Sequence, residues 1–307
     1  MQTFPSFDPW LPPEMAAKAE DVGVSKASLG FYRMFFLAVL AGAFIAMGAV
    51  FSTMATTGAG DLPFGMTRVI GGLTFSLGLI LVVVAGAELF TGNNLIVMAW
   101  ASRKIRTAQL LRNWFIVYIG NFLGSILTAY MMYLTKQYTF GKGTLGLNAL
   151  TIAHAKVNLE FLQALVLGIF CNALVCLAVW LCISARTDTD KVLLIIPPIT
   201  AFVAAGFEHS IANMYFIPVA LFIKSGASAE FWDLIGRTAV DFPNLTWGNF
   251  FLANLLPVTI GNIIGGAVMV GLVYWSIYLW PAWRKRPSLR SLLRVPFQET
   301  DSTSLLK

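Results

Sequence analysis

Gly86-Ala-Glu88-Leu-Phe-Thr-Gly-Asn93 and Gly206-Phe-Glu208-His-Ser-Ile-Ala-Asn213 carry the same glycine, glutamate and asparagine at the same spacing, 120 residues apart. Each stretch lies inside a long apolar run, where a glycine followed by a carboxylate is a poor continuation of a plain spanning helix. A second pair of segments repeats in the same way: Asn113 followed by Gly120-Asn121-Phe-Leu-Gly124, and Asn254 followed by Gly261-Asn262-Ile-Ile-Gly265, 141 residues apart. Two independent matches at fixed spacing argue for an internal duplication rather than chance.

Around these stretches the chain reads as a membrane protein. Its 307 residues are 57% apolar and only 12% charged, and the mean hydropathy is +0.74. That composition excludes one or two ordinary soluble domains, and the 24 Phe and 9 Trp exclude a disordered or collagenous chain. A crossing helix needs roughly 20 apolar residues. Six runs meet that length, at about 31–54, 68–101, 107–134, 159–184, 191–223 and 247–280. The second and fifth contain the Gly-Glu stretches and are read as broken helices.

Three crossings per half place the second half upside down relative to the first, so the expected fold is an all-α membrane protein of two inverted three-helix repeats. In such folds the broken helices meet near the midplane and line a pathway. Fifteen of the 21 Lys and Arg residues fall on the side of the two termini, which the positive-inside rule assigns to the cytoplasm. The +6 charge is thus read as orientation rather than nucleic-acid binding. The expected divisions are a cytoplasmic segment 1–30 with a short amphipathic helix serving as a solvated lid or interface helix, a channel domain 31–280, and a basic cytoplasmic tail 281–307. No apolar run follows a basic start at the N-terminus, so no cleavable signal peptide is expected.

Cys171, Cys176 and Cys182 all lie in the fourth run and read as packing residues; no metal site or cofactor is expected. No nucleophile elbow or phosphate loop supports an enzyme. Glu88, Glu208 and His209 are the ionisable residues expected within the hydrocarbon zone. The glutamates, with Gly86 and Gly206, are read as structural groups whose carboxylates accept amide N–H groups freed by the helix breaks. His209 has no counterpart, since its repeat partner is Leu89, and its ring can donate a hydrogen bond or pass a proton. The Gly120/Gly124 and Gly261/Gly265 pairs read as close helix packing, and Lys156 as a cation in the outer loop ahead of the fourth run.

The two Gly-Glu stretches, together with Pro257-Val-Thr-Ile-Gly-Asn-Ile-Ile-Gly-Gly266, resemble the signature segments of the formate/nitrite transporter family over about residues 5–280. The resemblance implies an aquaporin-like subunit, a homopentamer with one pore per subunit in a bacterial inner membrane, and formate or a similar small monoacid as substrate. Carried over by position, it implies a pathway of His209, Asn213, Asn262, Lys156 and Thr91. It implies an outer constriction of Phe75 and Phe202, and an inner one of Leu79, Leu89, Phe90 and Val175. The chain departs from formate-type members at Val157-Asn158-Leu159-Glu160-Phe161, which replaces a histidine-rich stretch, and at Gly92-Asn93, which is closer to nitrite-type members. Nitrite, lactate, acetate or hydrosulfide as substrate, and an aquaporin-like neutral-solute channel, are the alternatives.

Overall fold

A computed structural model describes residues 8–280; the basic tail 281–307 lies outside the described residues, as do the first seven. The described chain is helical. Helix α1 (Pro12–Ala27) precedes α2 (Phe31–Thr56) and α3 (Phe64–Val84), after which the chain breaks before the short α4 (Val97–Ala101). Then come α5 (Thr107–Leu134), α6 (Thr144–Val157), α7 (Phe161–Ser184), α8 (Asp188–Ala205), α9 (Ser210–Gly226) and α10 (Ala229–Ile235). A last long helix, α11, covers Trp247–Leu279. Five helices among the described residues are long and apolar enough to cross a membrane, and α8 with α9, bent by 54° at their junction, pass the same test only as a pair, consistent with the six spans expected.

Both breaks have the same local cause. Gly86 and Gly206 adopt left-handed backbone, φ 81° and 78°, a conformation that side-chain-bearing residues resist. Gly206 ends α8 in the manner of a helix-terminating glycine, its N–H reaching back to Val203 O at 3.0 Å. Beyond it the chain runs non-helically to His209, whose ring caps α9.

The small-residue pairs act as the sequence suggests, with neighbouring backbones in near contact. A Cβ on Gly124 would run into Val39 O of α2, and one on Gly265 into Ile169 O of α7. Those contacts are equivalent in the two halves, α2 against α5 and α7 against α11. Meanwhile Phe36 and Leu40 of α2, Phe115 and Leu123 of α5, and Leu252 and Leu256 of α11 face outward. An apolar exterior around a polar-lined interior is what a bilayer solvent selects.

One part differs from the sequence reading: the connection ahead of the fourth run, read as a long outer loop, contains the 14-residue helix α6, which carries Lys156. Of the two readings of helix α1, the packing matches the interface helix and not the solvated lid: Met15, Ala16 and Ala19 are buried, Glu20 pairs with Lys104 at 2.6 Å, and Lys26 reaches into the bundle. Its apolar face has a binding surface in the ends of the spanning helices, including Met98 and Trp180.

Candidate functional site

Each break is held by a set of four side chains, and the two sets match. In the first half, Lys26 Nζ donates to Glu88 Oε1 at 2.7 Å and Asn93 Nδ2 to Glu88 Oε2 at 2.7 Å. Asn93 Nδ2 also reaches Asn113 Oδ1 at 3.0 Å. In the second half, Lys156 Nζ donates to Glu208 Oε1 at 2.7 Å, and Asn213 Nδ2 to Glu208 Oε2 at 2.7 Å and Asn254 Oδ1 at 2.8 Å. The spacing noticed in the sequence is therefore the footprint of a lysine, a carboxylate and two amides that satisfy one another.

This corrects the expectation for the glutamates. Their carboxylates bind a lysine and amide side chains, whereas the backbone freed by the breaks is satisfied by Asn121 and Asn262. Phe90 N donates to Asn121 Oδ1 and Ser210 N to Asn262 Oδ1, each at 2.9 Å. Asn121 Nδ2 donates to Ala38 O and Glu88 O, and Asn262 Nδ2 to Gly168 O and Glu208 O, at 2.7 to 3.0 Å. With one acceptor and two donors used on backbone, Asn262 braces the break from behind. The physical reason for the exchange is charge: a buried carboxylate gains more from an ammonium than from a backbone N–H, and the neutral backbone is left to Asn121 and Asn262.

Lys26 is the functional-site residue that sequence reading missed. Its signal was present, because Lys26-Ala-Ser-Leu-Gly-Phe31 and Lys156-Val-Asn-Leu-Glu-Phe161 share the lysine, leucine and phenylalanine at one spacing.

Where the two breaks meet, the halves differ. His209 Nε2 lies 3.1 Å from Thr91 Oγ1, across 118 residues of sequence. Its other nitrogen, Nδ1, accepts the Ala212 N–H at 3.0 Å. A nitrogen that accepts an N–H carries no proton, so the neutral ring holds its proton on Nε2 and donates to Thr91. Protonating Nδ1 would set two hydrogens against each other and uncap α9.

Two cavities flank this contact. One, of about 450 Å³, is lined by Phe75, Phe202, Lys156, His209 and Asn213 among others. The other, of about 380 Å³, is lined by Leu79, Leu89, Gly86, Glu88 and Asn93, together with Lys26. No residue lines both. Phe75 and Phe202 meet edge to face with ring centroids 5.7 Å apart, and Phe202 stacks on the His209 ring at 5.9 Å. Phe90 and Val175 are buried and line neither cavity; Phe90 packs edge-on against Tyr118, centroids 4.9 Å apart. Asn213 Oδ1 is buried without a hydrogen-bond partner among the described residues.

Residues 13–276 match the family model described as formate/nitrite transporter. The chain belongs to the formate/nitrite transporter family. Within it, the chain is 50% identical over 273 residues to the formate channel FocA of Escherichia coli, covering 89% of this chain and 96% of that one. It is 41% identical over 261 residues to the formate channel FocA of Haemophilus influenzae, covering 85% and 92%. A solved structure described as a pentameric formate channel with formate bound superposes with a TM-score of 0.78 at 51% identity, covering 81% of this chain and 98% of that one. The resemblance read from the Gly-Glu stretches thus extends across the spanning helices, and a multi-pass transporter of this family, rather than an enzyme, is what the sequence encodes.

Proposed function

We propose that this transporter carries formate, and related small monoacids, across the bacterial inner membrane through one pore per subunit of a homopentamer, with the termini cytoplasmic and the Lys156-side cavity facing outward. The observation that carries the reading is the arrangement at the centre: two cavities separated by apolar side chains, with a single protonated imidazole nitrogen where they approach. That the Escherichia coli relative is a formate channel supports the substrate, and that the solved structure is a pentamer with formate bound supports the assembly.

Energetics favour a proton-linked passage. A bare carboxylate in an apolar constriction pays a desolvation cost of up to tens of kcal/mol in the idealised limit. Protonating an acid of pKa about 4 at pH 7 costs only about 4 kcal/mol. The acid therefore crosses Phe75 and Phe202 as a neutral molecule. His209 Nε2 donates to its carbonyl, in exchange with Thr91, and the unpartnered Asn213 Oδ1 accepts its O–H. Leu79 and Leu89 form the inner closure, with Phe90 and Val175 backing it. Asn262 acts on the pathway through the break it braces. The proton travels with the substrate, since His209 has no free site to take it up without losing its cap.

The test is formate influx into vesicles holding the purified protein. Each unit fall in external pH multiplies the neutral fraction about tenfold in this range, so influx should climb steeply from pH 8 to pH 5. A flat profile would instead indicate conduction of the bare anion.

The Phe75/Phe202 pair sets the bore. Truncating both to Ala, in protein purified as the assembled oligomer, should admit lactate at a rate comparable with formate. An unchanged selectivity series would return both rings to simple packing.

A further inference from the structure

The Lys156-side cavity has two cations on its wall, and their charges are not equally available. Lys156 is engaged at 2.7 Å by the buried carboxylate of Glu208, so the pair presents almost no net charge to the cavity. Arg68, on the first turns of α3, has no ion pair among the described residues. Its Nε donates to Ala204 O at 3.0 Å and its Nη2 to Val203 O at 2.9 Å, the last turn of α8. Those two bonds hold the guanidinium over Gly206, where an added Cβ would come within 2.8 Å of Nη2. Nη1 makes no hydrogen bond among the described residues, the guanidinium carbon lies 6.0 Å from the centre of the Phe64 ring, and the residue is half-buried on the cavity wall.

A structural explanation is at hand, because a cation at a helix C-terminus satisfies orphan carbonyls. The inverted repeat tests that explanation within the molecule. The equivalent helix end at Gly86 is formed without such a clamp: the residue 120 positions on from Arg68 is Asp188, exposed and paired with Lys191 at 2.8 Å. The break does not need an arginine, yet one of the two cavities has one.

We infer that Arg68 is the anion-recognising residue of the outer mouth: an oriented, carboxylate-free guanidinium that draws small monovalent oxyanions into the cavity before they are protonated. The role rests on the outward orientation and the anionic substrate class proposed above. A single uncompensated charge in a partly enclosed cavity raises local anion concentration, and the effect fades as salt shortens the Debye length from about 30 Å at 0.01 M to about 3 Å at 1 M. Arg also presents a planar fork that fits a carboxylate or nitrite better than an ammonium does.

The experiment compares Arg68→Gln and Arg68→Lys with the parent, each isolated as the assembled oligomer and reconstituted. Uptake of formate, and separately of nitrite, is measured against concentration at about 0.01 M and about 0.5 M ionic strength. Arg68→Gln should raise the half-saturating anion concentration about three- to tenfold at low salt, converge on the parent at high salt, and leave saturating flux within about twofold. Arg68→Lys, which keeps the charge, should retain the parent's salt dependence. If Arg68 only clamps α8, both variants lose saturating flux and heat stability while half-saturation and salt response stay put, which overturns the proposal. Absence of parental flux for both anions would overturn the substrate reading and this role with it. Normal parental flux with an unchanged Arg68→Gln response overturns the role alone.

Discussion

Glu208→Gln is expected to cost about 3–5 kcal/mol and to leave little assembled protein. The Glu208 carboxylate is an acceptor for three donors: Lys156 Nζ at 2.7 Å, Asn213 Nδ2 at 2.7 Å and Asn254 Nδ2 at 3.1 Å. Glutamine offers one acceptor oxygen and turns its amide hydrogens toward donors that have no lone pair to give. It also leaves the Lys156 ammonium, whose side chain is 16% exposed, without its counter-charge. On a chain of this size the loss corresponds to a fall in thermal midpoint of about 10 °C, readable by heating the purified oligomer and following its dissociation. Pairing the change with Lys156→Met removes the stranded charge and should recover a large part of the loss, as expected of a coupled pair. The same substitution at Glu88 should be milder, because Lys26 is 29% exposed and water can take over part of its solvation. A Glu208→Gln protein as heat-stable as its parent would show that the ion pair does not hold the break.

The second large effect is functional and separates the two nitrogens of His209. An asparagine side chain reaches about as far as Nδ1, so His209→Asn can keep the cap on Ala212 N–H, asparagine being among the best capping residues. It cannot reach the Nε2 position, and the donor facing Thr91 is lost. A glutamine reaches further and can restore it. Leaving a buried polar partner unsatisfied costs about 1–3 kcal/mol, so formate flux through assembled His209→Asn channels should fall about ten- to hundredfold, with His209→Gln recovering part of it. Heat stability should follow the reverse order, since the glutamine caps poorly. If the ring were an obligatory proton carrier, both variants would lose proton-linked uptake equally, and the partial rescue by glutamine would be missing.

The breaks were readable, because Gly86 and Gly206 are punctuation inside runs long enough to span, and because glycine at positive φ has a local cause. The duplication was readable because inverted repeats preserve spacing within each segment. What escaped the reading was which groups the spacing brought together. Glu88 and Glu208 invite the expectation that they cap free backbone amides, since both stand beside a helix end. Asn121 and Asn262, which do that work, look like ordinary interhelical polar residues in a Gly-x-x-x-Gly setting.

The sequence by itself determined the membrane class, the positions of the two breaks, the symmetry of the halves and a place within the breaks, His209 against Leu89, where an ionisable residue has no counterpart. These follow from quantities local to a segment: length, apolar periodicity, a glycine's backbone freedom, a count of charges. Only the tertiary structure decided that Lys26 belongs to Glu88 and Lys156 to Glu208, across 62 and 52 residues. It also decided that Thr91 faces His209, and that Arg68 is held on the cavity wall by the carbonyls of Ala204 and Val203 while Lys156 is paired with Glu208. A buried charge is partnered by whatever the fold carries to it, and with 21 cations and 15 carboxylates in the chain no spacing rule selects the pair. The proton on Nε2, by contrast, follows from a local cap: once α9 has formed, the Ala212 N–H three residues ahead donates to Nδ1, and the neutral ring carries its proton on Nε2.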